Sequence, residues 1–205
     1  MSTILRPDLK IICEWIRPDT HILDLGCGDG TLLMHLRQTR NVTGYGLEID
    51  TANILQCITK GIPVIQTNLD KGITEFFDEN SFDYVVMTHT LQAIQHPGKL
   101  LDEMLRIGQE GIVTFPNFAY WKSRMQLGFG GYMPVTRALP HEWHDTPNIH
   151  LCSIHDFENL CQNRGIQVLQ RAAVNHAFRS GRETRLWPNL LGESAIYRFC
   201  KSTPQ

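Results

Sequence analysis

The stretch Ile22-Leu23-Asp24-Leu25-Gly26-Cys27-Gly28-Asp29-Gly30 begins as a short apolar run and closes on three alternating glycines. His21 to Leu25 reads as a buried strand, and Leu32, Leu33 and Leu36 begin a helix just beyond the glycines. A strand that runs into glycines and then into a helix brings its backbone close to a bound ligand. In an open parallel sheet that ligand lies at the carboxyl ends of the strands, where the strand order reverses. The first strand of the chain is the natural place for such a reversal.

Outward from this turn, strands and helices alternate. On the N-terminal side, Leu9, Ile12, Cys13 and Ile16 recur at helical spacing, and Pro18 stops that helix. On the other side, Val42 to Glu48 reads as a second strand, and Asp50 is the expected N-cap of a helix ending at Gly61. Val64–Thr67, Phe82–Thr88 and Gly111–Phe115 are three further strands, with a helix through Leu100, Leu101, Met104 and Leu105 that ends at Gly108. A helix is expected from Phe118 to Leu127. Ser153 and Asp156 then form a capping box for a helix carrying Phe157, Leu160 and Cys161. Strands near Gln167–Val174 and Ser194–Cys200 are expected to pair as an antiparallel hairpin at the sheet edge. The pattern predicts an α/β, doubly wound, mostly parallel seven-stranded sheet with one antiparallel edge strand, helices lying on both faces.

The glycine spacing also discriminates between ligands. A dinucleotide fingerprint would place its last glycine at position 31, which is Thr31, and the third glycine here is Gly30. Asp24 stands two residues before the first glycine. A carboxylate there repels a pyrophosphate and attracts an ammonium or sulfonium cation. Glu48 ends the second strand, 22 residues after Gly26, where an acid accepts hydrogen bonds from ribose hydroxyls. Together these residues resemble the class I S-adenosylmethionine-dependent methyltransferases. The resemblance implies S-adenosylmethionine or S-adenosylhomocysteine as the ligand. It puts Asp24 near the methionine moiety, Gly26, Gly28 and Gly30 where the backbone approaches, and Glu48 on the ribose. Asn68 follows the third strand, where many relatives carry an acid that contacts adenine. Cys27, Ile49, Leu69 and Thr88 complete the candidate set. The plain alternative is a tight turn in which Asp24 caps the next helix.

Several later segments narrow the resemblance. Leu91-Gln92-Ala93, Phe115-Pro116-Asn117-Phe118, Met133-Pro134-Val135-Thr136 and the long run Leu139-Pro140-His141-Glu142-Trp143-His144-Asp145-Thr146-Pro147-Asn148-Ile149-His150-Leu151-Cys152 resemble the methionine biosynthesis protein MetW family across nearly the whole chain. That family implies a cytoplasmic bacterial protein that works beside a homoserine O-acyltransferase and supports its activity. No methyl acceptor follows from the resemblance. The Asn/Asp-Pro-Pro-aromatic motif of amino-group methyltransferases does not follow the fourth strand, which runs into Met87-Thr88-His89-Thr90-Leu91-Gln92. Methyl transfer by positioning alone stays open as a second reading.

The bulk composition bounds the rest. The chain has 205 residues, suited to one domain over residues 1–205, with a lid or interface insertion at about 117–150. Such a length buries roughly 70% of its unfolded surface without needing staples. Its 19 basic and 21 acidic residues give a formal charge of −2, and no aromatic-basic stripe points to nucleic acid. The six cysteines form no C-x-x-C pair and read as reduced thiols. No signal peptide and no apolar run long enough for a bilayer is expected.

Four features carry a sharp reading beside a plain one. His89, the one candidate general base, is read in preference as a polar strand-end residue bonded to backbone. His141, His144, Asp145, His150 and Cys152 are metal-ligand types, but their spacing matches no established ligand motif, and no metal is expected. Trp121, Tyr132, Trp143 and Arg137 are residue types enriched at interface hot spots, and they suit a lid equally well. Arg179, Arg182 and Arg185 would bind an anion or simply face solvent.

Overall fold

A computed structural model describes residues 5–175 and 186–202, so the Arg179, Arg182 and Arg185 cluster lies outside the described residues. Seven strands form one sheet: β1 (His21–Leu25), β2 (Thr43–Glu48), β3 (Val64–Gln66), β4 (Phe82–Thr88), β5 (Gly108–Pro116), β6 (Ile166–Val174) and β7 (Ser194–Lys201). Their order is β3-β2-β1-β4-β5-β7-β6. The strands β1 to β5 pair in parallel, and β7 runs antiparallel to both β5 and β6. The antiparallel hairpin expected at the edge is therefore present, with its reversed member β7 one place in and β6 outermost. From β1 the chain winds outward to β3, then returns to lay β4 against the other side of β1. The order reverses between β1 and β4, which is where the glycine turn sits.

Helices α1 (Pro7–Trp15), α2 (Thr31–Arg40), α3 (Thr51–Thr59), α4 (Pro97–Ile107), α5 (Trp121–Gly128), α6 (Ile154–Asn163) and the short α7 (Pro188–Leu191) fill the connections. Alternate strand residues face opposite layers. Leu23, Leu25, Val85, Met87, Val113 and Phe115 pack with Leu101, Met104 and Ile107 of α4 and with Phe157 and Cys161 of α6. On the other face, Ile22, Tyr84, Val86 and Ile112 pack with Ile12 of α1, Leu32, Leu33 and Leu36 of α2, and Cys57 of α3. The central strands β1 and β4 thus face a helical layer on both sides, which is why they read as mostly apolar runs.

Helix ends follow the side chains expected to set them. The Asp50 carboxylate accepts from Asn53 N at 2.9 Å, and Gly61 leaves α3 with φ 68°. Ser153 and Asp156 complete the reciprocal capping box of α6. Two boundaries differ from expectation by three residues, and several strand ends by one. β5 starts at Gly108 rather than Gly111, because the glycine that ends α4 is itself extended and passes straight into the strand. α5 starts at Trp121 rather than Phe118: the Asn117 side chain accepts from Ala119 N and Tyr120 N donates to Asn117 O, so a turn takes the place of the first helical turn. α7 was not anticipated, since four residues are too few to show a period.

Residues 129–153 contain no helix or strand. They are pinned at several points. The Gln126 side chain brackets Val135 through its N and O, Leu139 is buried, and Ile149 N and His150 N both donate to Gln92 O at 2.9 Å. Around these anchors Phe129, Tyr132 and Trp143 stand 85%, 77% and 74% exposed.

Candidate functional site

The turn after β1 is pulled toward β2. Gly26 N and Cys27 N both donate to Leu47 O, at 2.8 and 3.1 Å. Gly26, Gly28 and Gly30 all have positive φ. At Gly28, with φ +55°, a Cβ would meet nothing within 4 Å and would project into open space. Gly30 adopts the left-handed conformation at the N-cap of α2, while Asp29 closes the turn by accepting from Thr31 N and its hydroxyl. Under this turn lies a cavity of about 310 Å³, lined by Asp24, Gly26, Cys27, Gly28 and Thr88 among others.

Asp24 is 1% exposed, and its Oδ1 is buried with no hydrogen-bond partner. Burial first, and the nearby Glu48 second, push its carboxyl up to about 7, while Arg6 draws it down. An unpartnered buried oxygen costs about 1–3 kcal/mol. Such a group at the wall of a cavity fits a cationic ligand that would supply the missing partner. With the open space over Gly28, it makes the residues present a fit for the ammonium and sulfonium of S-adenosylmethionine, or the ammonium of its demethylated product.

Glu48 is buried beside the turn. Its Oε2 accepts from Gly28 N at 2.8 Å, and its Oε1 accepts from Ile49 N and Asp50 N at 2.8 and 3.0 Å. The acid therefore ties the glycine turn to the end of β2, and Oε2, with one donor against the two on Oε1, retains a lone pair for a further donor. Ile49 stands 60% exposed beside it. Asn68 turns its Oδ1 onto Asp70 N at 3.0 Å, and the Leu69 side chain belongs to the core, which leaves its backbone for any ligand. Of the residues singled out from sequence, Asp24, Gly26, Cys27, Gly28 and Thr88 share the cavity wall. Glu48 joins it through Gly28, whereas Gly30, Ile49, Asn68 and Leu69 do not line it.

Two residues missed from sequence complete the neighbourhood. Arg6, just before α1, lines the cavity. Asp8, in the first turn of α1, is fully buried and accepts from Arg6 Nε and Nη2 at 3.3 and 3.0 Å, with His89 Nε2 at 3.4 Å from its Oδ2. Burial alone would raise the Asp8 carboxyl, but the hydrogen bond to His89 and the charge of Arg6 hold it down at about 2. The Pro7-Asp8 pair signals a helix start and nothing more; only the packing of α1 beside the turn shows its second role. His89 has φ 52°, and its N donates to Thr114 O and Oγ1. Its backbone is thus tied to Thr114, while its ring meets the Asp8 carboxylate rather than the backbone group of the plain reading.

Among the described residues no three His, Cys, Asp or Glu side chains are grouped to hold a metal ion. His144 lies beside Glu142, and the His150 ring meets Gln95 O.

The sheet order and its covering helices define the class: this is a class I methyltransferase fold. A SAM-dependent methyltransferase from Archaeoglobus fulgidus superposes with a TM-score of 0.70, at 13% identity over 94% of this chain and 91% of that one. One from Mesorhizobium loti gives 0.69, at 14% identity over 95% and 97%. A possible histamine N-methyltransferase from Thermotoga maritima gives 0.67, at 16% identity over 95% and 88%. Sequence then settles the family. The model of methionine biosynthesis protein MetW matches residues 6–199, and the chain belongs to that family. It is 33% identical, over 204 residues and 95% of its length, to the bifunctional methionine biosynthesis protein MetXA/MetW of Rhodopirellula baltica. The match takes in 33% of that protein, so the chain spans about a third of its relative's length.

Proposed function

We propose that the chain binds S-adenosylmethionine or S-adenosylhomocysteine under the glycine turn and acts beside a homoserine O-acyltransferase of methionine biosynthesis, supporting that enzyme's activity in the cytoplasm. The observation that carries the partnership is the Rhodopirellula baltica relative, in which a MetXA part and a MetW part are joined in one chain. Fusion holds two modules at high effective concentration, which is useful where they work in contact.

In this reading Asp24 faces the cationic end of the ligand and Gly28 lets the backbone approach it. Glu48 accepts from a ribose hydroxyl through Oε2, with Ile49 beside it, and Asn68 and the Leu69 backbone lie toward the adenine. Cys27, Gly26, Gly30 and Thr88 shape the turn and the floor. Bound S-adenosylmethionine would bring an electrophilic methyl group; the demethylated product would bring none and would act as a signal alone. The exposed Phe129, Tyr132 and Trp143 form the face offered to the partner. A formal charge of −2 gives no general attraction to nucleic acid, and among the described residues no helix is long and apolar enough to cross a membrane.

The direct test is co-migration. Equimolar chain and acyltransferase from one organism should elute together on a sizing column. Separate elution at micromolar concentrations would contradict the partnership. The second reading is methyl transfer to a small acceptor, favoured by the adjacency of Thr88, in the wall of the first cavity, to His89, which faces a second one. Release of S-adenosylhomocysteine when S-adenosylmethionine and cell metabolites are supplied would select it.

A further inference from the structure

Beside the first cavity lies a larger one of about 550 Å³, within the range of small-molecule sites. Arg6 lines both. The remaining wall comes from the turn after β4 (His89, Gln92), from the long loop (Arg137, His141, Asn148, with Pro140 and Pro147) and from Pro7 at the start of α1. Among the described residues the lining includes two guanidiniums, two imidazoles and two carboxamides, and no carboxylate. Asp8 stands behind the wall, fully buried and occupied by Arg6 and His89. Glu193, also buried, accepts from Ala138 N, and Glu142 pairs with His144. The cationic and imidazole groups of Arg6 and His141 thus bring N–H donors to the cavity, while the Gln92 amide N–H is spent on His89 O.

Two features mark this wall as built rather than incidental. His89 is held in left-handed backbone, a conformation that costs about 1–3 kcal/mol away from glycine and persists where the surroundings enforce it. Thr114 accepts from its N, and the Gln92 side chain donates to its O at 2.7 Å. Arg6 spends Nε and Nη2 on Asp8 while its side chain stays 52% exposed. Asp8 therefore fixes both an arginine and a histidine at the cavity edge.

We propose that this second cavity binds a small aliphatic carboxylate, gripped by Arg6 and His141, with Asp8 as the positioning residue. Pro7, Ala138, Pro140 and Pro147 give the wall an apolar part that suits a short carbon chain behind the acid group better than a bare oxyanion. The ligand lies beside the first cavity, so it is either a methyl acceptor or an effector, and the assignment does not depend on what the first cavity holds.

The test is calorimetric titration of the full chain, without any adenosyl compound, using succinate, L-homoserine and L-methionine. Succinamide and inorganic phosphate serve as controls. At least one of the acids should bind, and neither control should match it. Arg6→Gln and His141→Gln should each weaken that acid by about tenfold, the loss expected for one charge-assisted hydrogen bond. His141 is exposed on an irregular loop, so an unchanged melting temperature for His141→Gln separates loss of the wall from loss of the fold. No binding by any of the three acids, equal binding by succinamide or phosphate, or full affinity in both variants would overturn the proposal. With S-adenosylmethionine then added, formation of its demethylated product marks the bound acid as an acceptor, and none marks it as an effector.

Discussion

Asp24 is the residue whose environment makes the sharpest claim. Its folded carboxyl is raised to about 7 from an ordinary value of 3.8, chiefly by burial. Between those values the folded chain holds a proton that the unfolded chain has released, so the ligand-free protein loses stability as pH rises through that window and levels off above about 7. Asp24→Asn removes this dependence, and in thermal melts above pH 7 the ligand-free variant should be the more stable protein. A cationic ligand has the opposite preference, since it needs the charged carboxylate. Affinity for S-adenosylmethionine should therefore rise from pH 6 to pH 8, and Asp24→Asn should weaken it by about ten- to a hundredfold and flatten the profile. Calorimetry at the two pH values checks this; equal affinity in variant and wild type would place the ligand elsewhere. Asp24 and Glu48 were legible in the sequence because each sits at a fixed offset from glycines on a strand end. Arg6 and Asp8 were not, because their role depends on where α1 packs, and no local spacing encodes that.

At the scale of elements, the β1–β2 pair holds the turn in place. Gly44 in β2 has φ +147°, and a Cβ there would stand 1.8 Å from Ile22 O in β1. No side-chain rotation relieves a clash with backbone. Gly44→Ala should cost about 3 kcal/mol or more, read as a lower urea midpoint, and should weaken adenosyl binding as the turn shifts with its strand. The capping box of α6 is a milder case: Ser153→Ala should cost about 1 kcal/mol with no effect on ligand affinity. Elements set by local chemistry were the ones legible in advance. β1 and β4 match their expected bounds, and Asp50 and Ser153 cap the helices that they were expected to cap. The misses at Phe118 and Gly111 came where a side chain or a glycine changes the backbone path without disturbing the apolar pattern.

For the whole molecule, the parallel order and the edge hairpin followed from alternating strands and helices, whereas the path of residues 129–153 did not. Its anchors are backbone groups meeting Gln92 O and the Gln126 side chain, and pairs of that kind leave no periodic trace. The loop leaves large aromatic side chains in solvent, an arrangement suited to a partner surface. Trp143→Ala, at a side chain 74% exposed, should weaken binding to the acyltransferase by about tenfold or more while adenosyl affinity stays as in the wild type. Unchanged partner affinity would move the interface to another face. In the proposed function this chain supports a second enzyme. The measurement that meets it most directly is the rate of a homoserine O-acyltransferase from the same organism, with and without an equimolar amount of the chain. A large rise in rate, retained on dilution of a purified complex, is the predicted result. An unchanged rate with no complex formed would contradict the claim and leave methyl transfer to a small acceptor as the reading to pursue.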